Sequence, residues 1–243
     1  MTRMKLNNNA PIKFRVGDSL QPCNRPEQPF SEPVCRFLAD LSKTLRHSQL
    51  AKQYSDVISF AFFCRAANID KLKKDYLAQD SALRRGLGTV FHIAPANVPT
   101  NFAYSLAAAL LAGNANIVRL PQREFLQSEI ICEAIEQTLS REEHAALRAM
   151  ITIISYDRND SITEQISGFA NGRIIWGGDA TIKAIRQIPL TPRGVEIAFA
   201  DRYSFALIDS DTLLEHPEQA KQLAADFYND AYLMGQAACS SPH

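Results

Sequence analysis

The chain has 243 residues, 46% hydrophobic and 21% charged, which is room and material for one large α/β domain or two small ones with a substantial core. Its 26 lysines and arginines are matched by 26 aspartates and glutamates. The zero net charge argues against a protein built to neutralise nucleic-acid phosphates, and the apolar content argues against disorder. Five scattered cysteines, Cys23, Cys35, Cys64, Cys132 and Cys239, form no C-x-x-C pair. Neither a disulfide framework nor a zinc ribbon is expected, and reduced thiols fit a cytoplasmic protein without a metal site. Met1–Ala10 lacks the apolar run of a secretory signal, and the longest apolar stretch, Leu106–Ala112, falls far short of the about 20 residues that span a bilayer.

Along the chain, Pro11, Pro22, Pro26, Pro29 and Pro33 forbid a long helix at the start. Val34, Phe37, Leu38 and Leu41 then recur at helical spacing, and Val57–Phe63 is a second such stretch. From Arg84 onward short β-rich runs alternate with helices. Strands are expected at Gly88–Ala94, Asn116–Leu120, Ile151–Ser155, Arg173–Trp176, Gly194–Phe199 and Ser204–Ile208. Helices are expected at Phe102–Ala112, stopped by Gly113, and at Phe125–Leu139. Ser140 with Glu143 and Ser161 with Glu164 read as capping boxes, and Asp179 reads as the cap of a helix through Ile188. Pro217 suits the first turn of a last helix carrying Leu223, Ala224, Phe227, Ala231 and Met234. This alternation predicts an α/β fold with a doubly wound, mainly parallel sheet. Three segments are expected: an irregular and helical one over 1–83, a nucleotide-binding domain over 84–215, and a further segment over 216–243.

The dinucleotide fingerprint G-x-G-x-x-G between first strand and first helix is absent, because Gly86-Leu-Gly88 precedes the strand as a turn. The informative segment is His92-Ile-Ala-Pro95-Ala96-Asn97-Val-Pro99 at the C-terminal end of that strand, where open α/β sheets bind ligands. Two prolines stiffen it around Asn97, whose carboxamide either donates to an oxyanion or caps the following helix. Arg119 and Pro121 end the second strand; the arginine either meets an anionic cofactor or is a surface cation. Trp176-Gly177-Gly178 is either a tight turn or a backbone approach to a pyrophosphate at a helix start. Cys239, in Gly235-Gln-Ala-Ala-Cys239-Ser-Ser-Pro242, is either a small packed residue or a nucleophile.

Together and in this order, His92–Pro99, Gly113–Pro121, Ile175–Asp179, Phe199–Asp209 and Gly235–Pro242 resemble the LuxC-type acyl-CoA reductases, an outlying branch of the aldehyde dehydrogenase superfamily. The resemblance runs from about Arg84 to the last residue. It implies an aldehyde-dehydrogenase-like fold, with the chain as the N-terminal part of the family's length, ending just after the catalytic cysteine. It assigns Cys239 as nucleophile, Asn97 as oxyanion donor, and Glu196 as the match to the superfamily's general base. The usual E-L-G-G here reads Glu196-Ile-Ala-Phe199, and acyl-transferring relatives often dispense with that base. Pro95, Ala96, Arg119, Pro121, Trp176, Gly177 and Gly178 fall on cofactor-contacting positions.

The activity implied is NADPH-dependent reduction of a long-chain fatty acyl-CoA or other acyl thioester to the aldehyde through a cysteine acyl-enzyme, with NADH as an alternative donor. An acyl-transferring partner protein and a homo-oligomeric full-length enzyme belong to the same expectation. Competing readings are a related dehydrogenase of aldehydes or acyl phosphates, and a truncated nucleotide-binding module without catalysis.

Overall fold

The computed structural model describes residues 12–21, 25–79, 83–232, 235–239 and 241; Met1–Ala10, Pro11, Pro22, Cys23, Met234, Pro242 and His243 lie outside them. The chain forms two compact units, one running through Phe199 and one from Ala200 onward. The N-terminal helices share the first unit with the sheet.

Strand β1 (Lys13–Val16) opens the first unit and is followed by α1 (Glu32–His47), α2 (Ser55–Phe63) and α3 (Ala66–Gln79). Helix α1 starts with Glu32 and Pro33 and ends with Arg46 and His47, charges suited to its dipole. Its buried stripe of Val34, Phe37, Leu38, Leu41 and Leu45 packs towards α2 and α5, each large side chain contributing about 1.5–3 kcal/mol by leaving water. The α/β alternation then runs through β2 (Thr89–Ile93), α4 (Asn101–Leu111), β3 (Ala115–Arg119), α5 (Leu126–Leu139), β4 (Ile151–Ser155), α6 (Asp160–Ser167), β5 (Gly172–Trp176), α7 (Asp179–Arg186) and β6 (Val195–Phe199).

These strands form one sheet in the order β1-β4-β3-β2-β5-β6, parallel throughout except for β1 against β4. Every residue of β2 is buried, the mark of a central strand covered on both faces. Helix α4 is closed by Gly113 at φ +84°, where the Gly113 N–H donates to Leu110 O (2.8 Å) and the Asn114 N–H to Ala109 O (3.0 Å). This paired cap needs glycine twice over, because a Cβ at position 113 would lie 2.2 Å from Glu27 O.

Several local expectations are corrected. No strand forms over Ser204–Ile208; Phe205, Leu207 and Ile208 all stand exposed, so neither face of that run is buried to fix a register. Ser140 opens no capping box: it ends α5, its hydroxyl donating to Gln137 O, and Glu142–Met150 is 3₁₀-helical behind Arg141. The α6 cap is Asn159, whose side chain accepts from the Ile162 N–H at 3.2 Å, so Ser161 lies inside the helix. At α7 the cap position belongs to Gly178, Asp179 is the first helical residue, and the helix ends at Arg186. Strand β1, in a stretch read as irregular, alternates Lys13 and Arg15 with Phe14 and Val16, a short period-2 pattern hidden by the surrounding prolines.

In the second unit α8 (Ser210–Glu215) is capped by Asp209, whose side chain accepts from the Asp211 N–H and the Thr212 hydroxyl. Pro217–Gln219 forms a 3₁₀ turn, and α9 (Ala220–Tyr232) follows. No helix among the described residues is long and apolar enough to cross a membrane.

Candidate active site

The chain reverses direction across the sheet between β2 and β5. From β2 it builds outward through β3 and β4, then crosses over to add β5 and β6 on the other side. A crevice at the carboxyl end of two such strands is where open α/β sheets bind ligands. The loop after β2 carries Pro95, Ala96 and Asn97, and the turn after β5 carries Gly177 and Gly178, directly behind Trp176. Arg119 ends the adjoining β3, and Pro121 follows two residues beyond it. The structure thus brings these eight positions to the C-terminal edge of three neighbouring strands.

The β2–α4 loop is tied at both ends. The Ala94 N–H donates to Arg119 O at 3.0 Å, extending the β2–β3 pairing, and Ser128 Oγ on α5 donates to Pro99 O at 2.8 Å. Asn97 stands exposed between these anchors. The α4 cap position belongs to Thr100, three residues further on.

Arg119 places its guanidinium 4.5 Å from the centre of the Tyr156 ring, a cation–π contact that holds it at the strand end. Its Nε is buried and has no hydrogen-bond partner among the described residues. Gly178 has φ −66° and ψ 164° at the start of α7, with no side-chain cap, and a Cβ built there meets nothing within 4 Å. An open space beside uncapped N–H groups at a helix start suits an anionic group. Gly177 is tighter, since a Cβ there would lie 3.2 Å from Thr181.

Glu196 has a different setting. Arg173 Nε and Nη2 donate to its Oε2 at 3.0 and 2.6 Å, and Arg186 Nε donates to its Oε1 at 2.7 Å. Partial burial opposes ionisation of the carboxyl, but the hydrogen bonds and charges of Arg186 and Arg173 outweigh it and hold it below the ordinary carboxylate range. Arg173 also reaches Ser167 Oγ on α6, so this cluster belongs to the face covered by α6 and α7. Trp176 and Phe199, an odd number of residues away on the same strands, turn to the α4 face and stack at 3.8 Å.

Under Trp176 lies a buried polar chain that sequence reasoning did not single out. Trp176 Nε1–H donates to Ser105 Oγ (3.2 Å), which lies 2.8 Å from His92 Nδ1; His92 Nε2 lies 2.9 Å from Asn116 Oδ1. The detectable signal was a histidine and an asparagine inside otherwise apolar strands. Burial pushes the His92 imidazole down to about 4, against a smaller opposing effect of its bond to Asn116.

A cavity of about 720 Å³ opens on another flank, between β1, α5 and the loops Leu120–Phe125 and Ser155–Asp157. It shares Pro121 with the crevice, while Arg15 and Lys13 in its wall pair with Glu124. The crevice is defined by topology, and that is the stronger argument for chemistry there. Cys132, also in that wall, is pushed up to about 12 by burial and is an inert thiol.

Cys239 belongs to the second unit. It is an exposed free thiol whose backbone carbonyl accepts a hydrogen bond from Ser204 Oγ at 2.7 Å. Ser241 Oγ donates to Ala231 O at 3.0 Å, tying the following residues to the end of α9.

Comparison with known proteins gives a family. The family model described as acyl-CoA reductase (LuxC) matches residues 28–243. The chain is similar to long-chain acyl-protein thioester reductase 2 of Photobacterium leiognathi, at 26% identity over 220 residues covering 84% of this chain and 44% of that protein. Among solved structures it is similar to an oxidoreductase from Marinobacter aquaeolei, with TM-score 0.65, 16% identity, 90% of this chain and 49% of the other covered. It is likewise similar to a Mycobacterium tuberculosis aldehyde dehydrogenase solved with NAD+, with TM-score 0.58, 14% identity, 88% and 47%. The chain thus spans slightly under half the length of each of these proteins.

Proposed function

The chain belongs to the LuxC acyl-CoA reductase family, and from that premise we propose that it serves NADPH-dependent reduction of a long-chain acyl-CoA or protein-bound acyl thioester to the aldehyde, NADH being a second usable donor. The observation that carries this reading is the reversal of strand order between β2 and β5, whose C-terminal edge carries the proline-flanked loop with Asn97 and the open turn at Gly178. The similarity to a thioester reductase supports an acyl thioester as substrate.

The residues present fit a nicotinamide dinucleotide. Gly178 and the first N–H groups of α7 would receive its phosphates, and Arg119, with an orphaned Nε, would meet the adenosine ribose or its phosphate. Arg123, held 4.7 Å from the Phe125 ring, adds a second cation to that end and supports the phosphate-bearing cofactor. Pro95, Ala96, Pro121 and Trp176 would form walls. The cofactor supplies the hydride that reduces the acyl carbon.

The protein's own part begins with Cys239. Its thiolate attacks the thioester carbonyl, and the carbon–sulfur bond to the leaving thiol breaks, giving an acyl-enzyme and a thiolate that takes up a proton. Asn97 donates its carboxamide N–H to the oxygen as negative charge develops there. Glu196 is a weak base while two guanidinium groups occupy both its oxygens, and thioester exchange does not require one at that point. In this reading Glu196 orders β5, β6 and α7, and would serve as a base only after release from Arg173 or Arg186.

The test is capture of the intermediate. With a radiolabelled long-chain acyl-CoA and no nicotinamide, label should become covalently attached to the wild-type chain and be released as aldehyde when NADPH is added. Cys239→Ala should bind NADPH and retain no label. Equal labelling of both proteins would remove Cys239 from the mechanism.

A further inference from the structure

Three polar side chains buried on the α4 face of the sheet, together with the half-buried Trp176, form one directed chain. Asn116 Nδ2 donates to Asn114 O at 2.8 Å, so its Oδ1 is the atom facing His92 Nε2. A carboxamide oxygen only accepts, so Nε2 carries the imidazole proton and Nδ1 is a bare acceptor. Ser105 must then donate its hydroxyl proton to Nδ1, and its oxygen lone pair is left to receive the Trp176 Nε1–H. Each proton has one consistent position. The far end is anchored as well, because Asn114 Oδ1 accepts from the Leu87 N–H at 2.6 Å and its Nδ2 donates to Ala109 O. His92 is fully buried and neutral, and complete polar networks of this kind hold their members in one geometry.

The near end leaves the core. Trp176 is half-buried, lies flat on Phe199 at an interplanar angle of 8°, and is the residue directly before Gly177 and Gly178. The stack fixes the plane of the indole, and the hydrogen bond to Ser105 fixes its rotation within that plane. Gly177 is bonded in turn to the same neighbour, its N–H donating to Phe199 O at 3.3 Å. A turn of two glycines has little stiffness of its own. The residue before it is therefore what sets its direction.

We propose that His92, acting through Ser105, is a positioning residue: it locks the Trp176 indole and thereby aims the Gly177–Gly178 turn at the nicotinamide dinucleotide. This rests on the proposed cofactor site, and it adds His92, Ser105 and Asn116, which act behind Trp176 without touching the ligand themselves. It also accounts for a histidine in the centre of a buried strand, where a leucine would pack without desolvation cost.

Trp176 is the sole tryptophan, so the first half of the relay can be read without any cofactor. Ser105→Ala and His92→Gln should shift the emission maximum and near-ultraviolet circular dichroism of Trp176 while far-ultraviolet dichroism stays unchanged. Both should also weaken NADPH binding by about tenfold, the change that a lost hydrogen bond in a buried network produces. Ser105→Thr, which keeps the hydroxyl, should restore both signals. Unchanged tryptophan spectra in Ser105→Ala and His92→Gln would overturn the relay. Altered spectra with NADPH binding at wild-type strength would overturn its positioning role and leave the proposed cofactor site standing. A wild-type chain with no affinity for NADPH or NADH would remove the cofactor site and the positioning role together, while the apo spectra would still report whether the indole is locked. Should Ser105→Ala fail to fold, His92→Gln carries the same comparison.

Discussion

Arg173 holds Glu196 with two nitrogens, at 3.0 and 2.6 Å, from a side chain only 3% exposed. The two residues sit side by side in the β5–β6 register, and Arg173 continues to Ser167 Oγ and Ile188 O. Such a guanidinium cannot be left without its carboxylate at small cost, since breaking a buried ion pair from one side costs about 3–5 kcal/mol. The Glu196 side chain is 18% exposed and Arg173 keeps two other partners, which puts the loss at the lower end.

Glu196→Ala should therefore lower unfolding stability by about 3 kcal/mol, with Glu196→Gln losing less because an amide oxygen still accepts from Arg173. The sign of the pH effect follows from the lowered carboxyl. Its stabilisation is present above the ordinary glutamate range and is lost as pH falls through the depressed native value. Urea melts of wild type and Glu196→Ala between pH 7 and pH 3 should converge at the acid end. A constant gap across that range would mean that the ion pair is not what Glu196 contributes.

His92 gives a second acid dependence of different origin. Its native value of about 4 lies below that of a free imidazole, so the unfolded chain takes up the proton first. Stability should fall as pH drops from about 6.5 towards 4, by up to about 3 kcal/mol for a shift of that size. His92→Gln should flatten this part of the stability–pH curve while leaving the carboxylate-dependent part below it. If the two proteins lose stability in parallel between pH 6.5 and 4.5, the imidazole is not the group being protonated.

The sheet was legible because its strands are short apolar runs separated by helical spacing. Five of the six expected strands form within a residue or two of their predicted ends. What failed had a physical cause in each instance. Ser204–Ile208 has β-forming residues but no buried face, and β1 has only four residues between prolines, with Val16 alone buried. The two capping boxes failed because a serine three residues before a glutamate does not reveal that a neighbour, Asn159 or the end of α5, already fills the position. The edge positions of the crevice were legible because proline and glycine clusters mark strand ends. The Trp176–Ser105–His92–Asn116 chain was not, since its members are separated by up to 84 residues and meet only through the crossover between β4 and β5.

Asn97 offers a test in which chemistry and stability separate. It is exposed, and the α4 cap position is Thr100. Asn97→Ala should leave the melting temperature within about 2 °C of wild type, as expected of a surface substitution. Single-turnover acylation should slow by about 10²–10³-fold, the usual loss for one oxyanion donor. A clear drop in melting temperature with acylation unaffected would make Asn97 a loop-stiffening residue.

Gly178 separates space from strain in the same way. Its φ of −66° and ψ of 164° are open to any residue, and a Cβ there meets nothing within 4 Å, so glycine is not required for folding. Gly178→Val should accordingly fold, with only the modest loss that follows from replacing glycine by an aliphatic residue at a helix N-cap, about 1 kcal/mol. If the space in front of α7 is where cofactor phosphate sits, two added methyl groups will occupy it and cover the first N–H groups of the helix. Affinity for NADPH should fall at least tenfold, and Gly178→Ala should give a smaller loss in the same direction. Gly177→Ala is the contrasting case: its Cβ would press on Thr181 at 3.2 Å, so that variant should lose stability as well as affinity. Binding measured by energy transfer from Trp176 to the reduced nicotinamide, alongside thermal melts, distinguishes the two. Full-strength binding by Gly178→Val would show that the phosphates are held elsewhere along the edge.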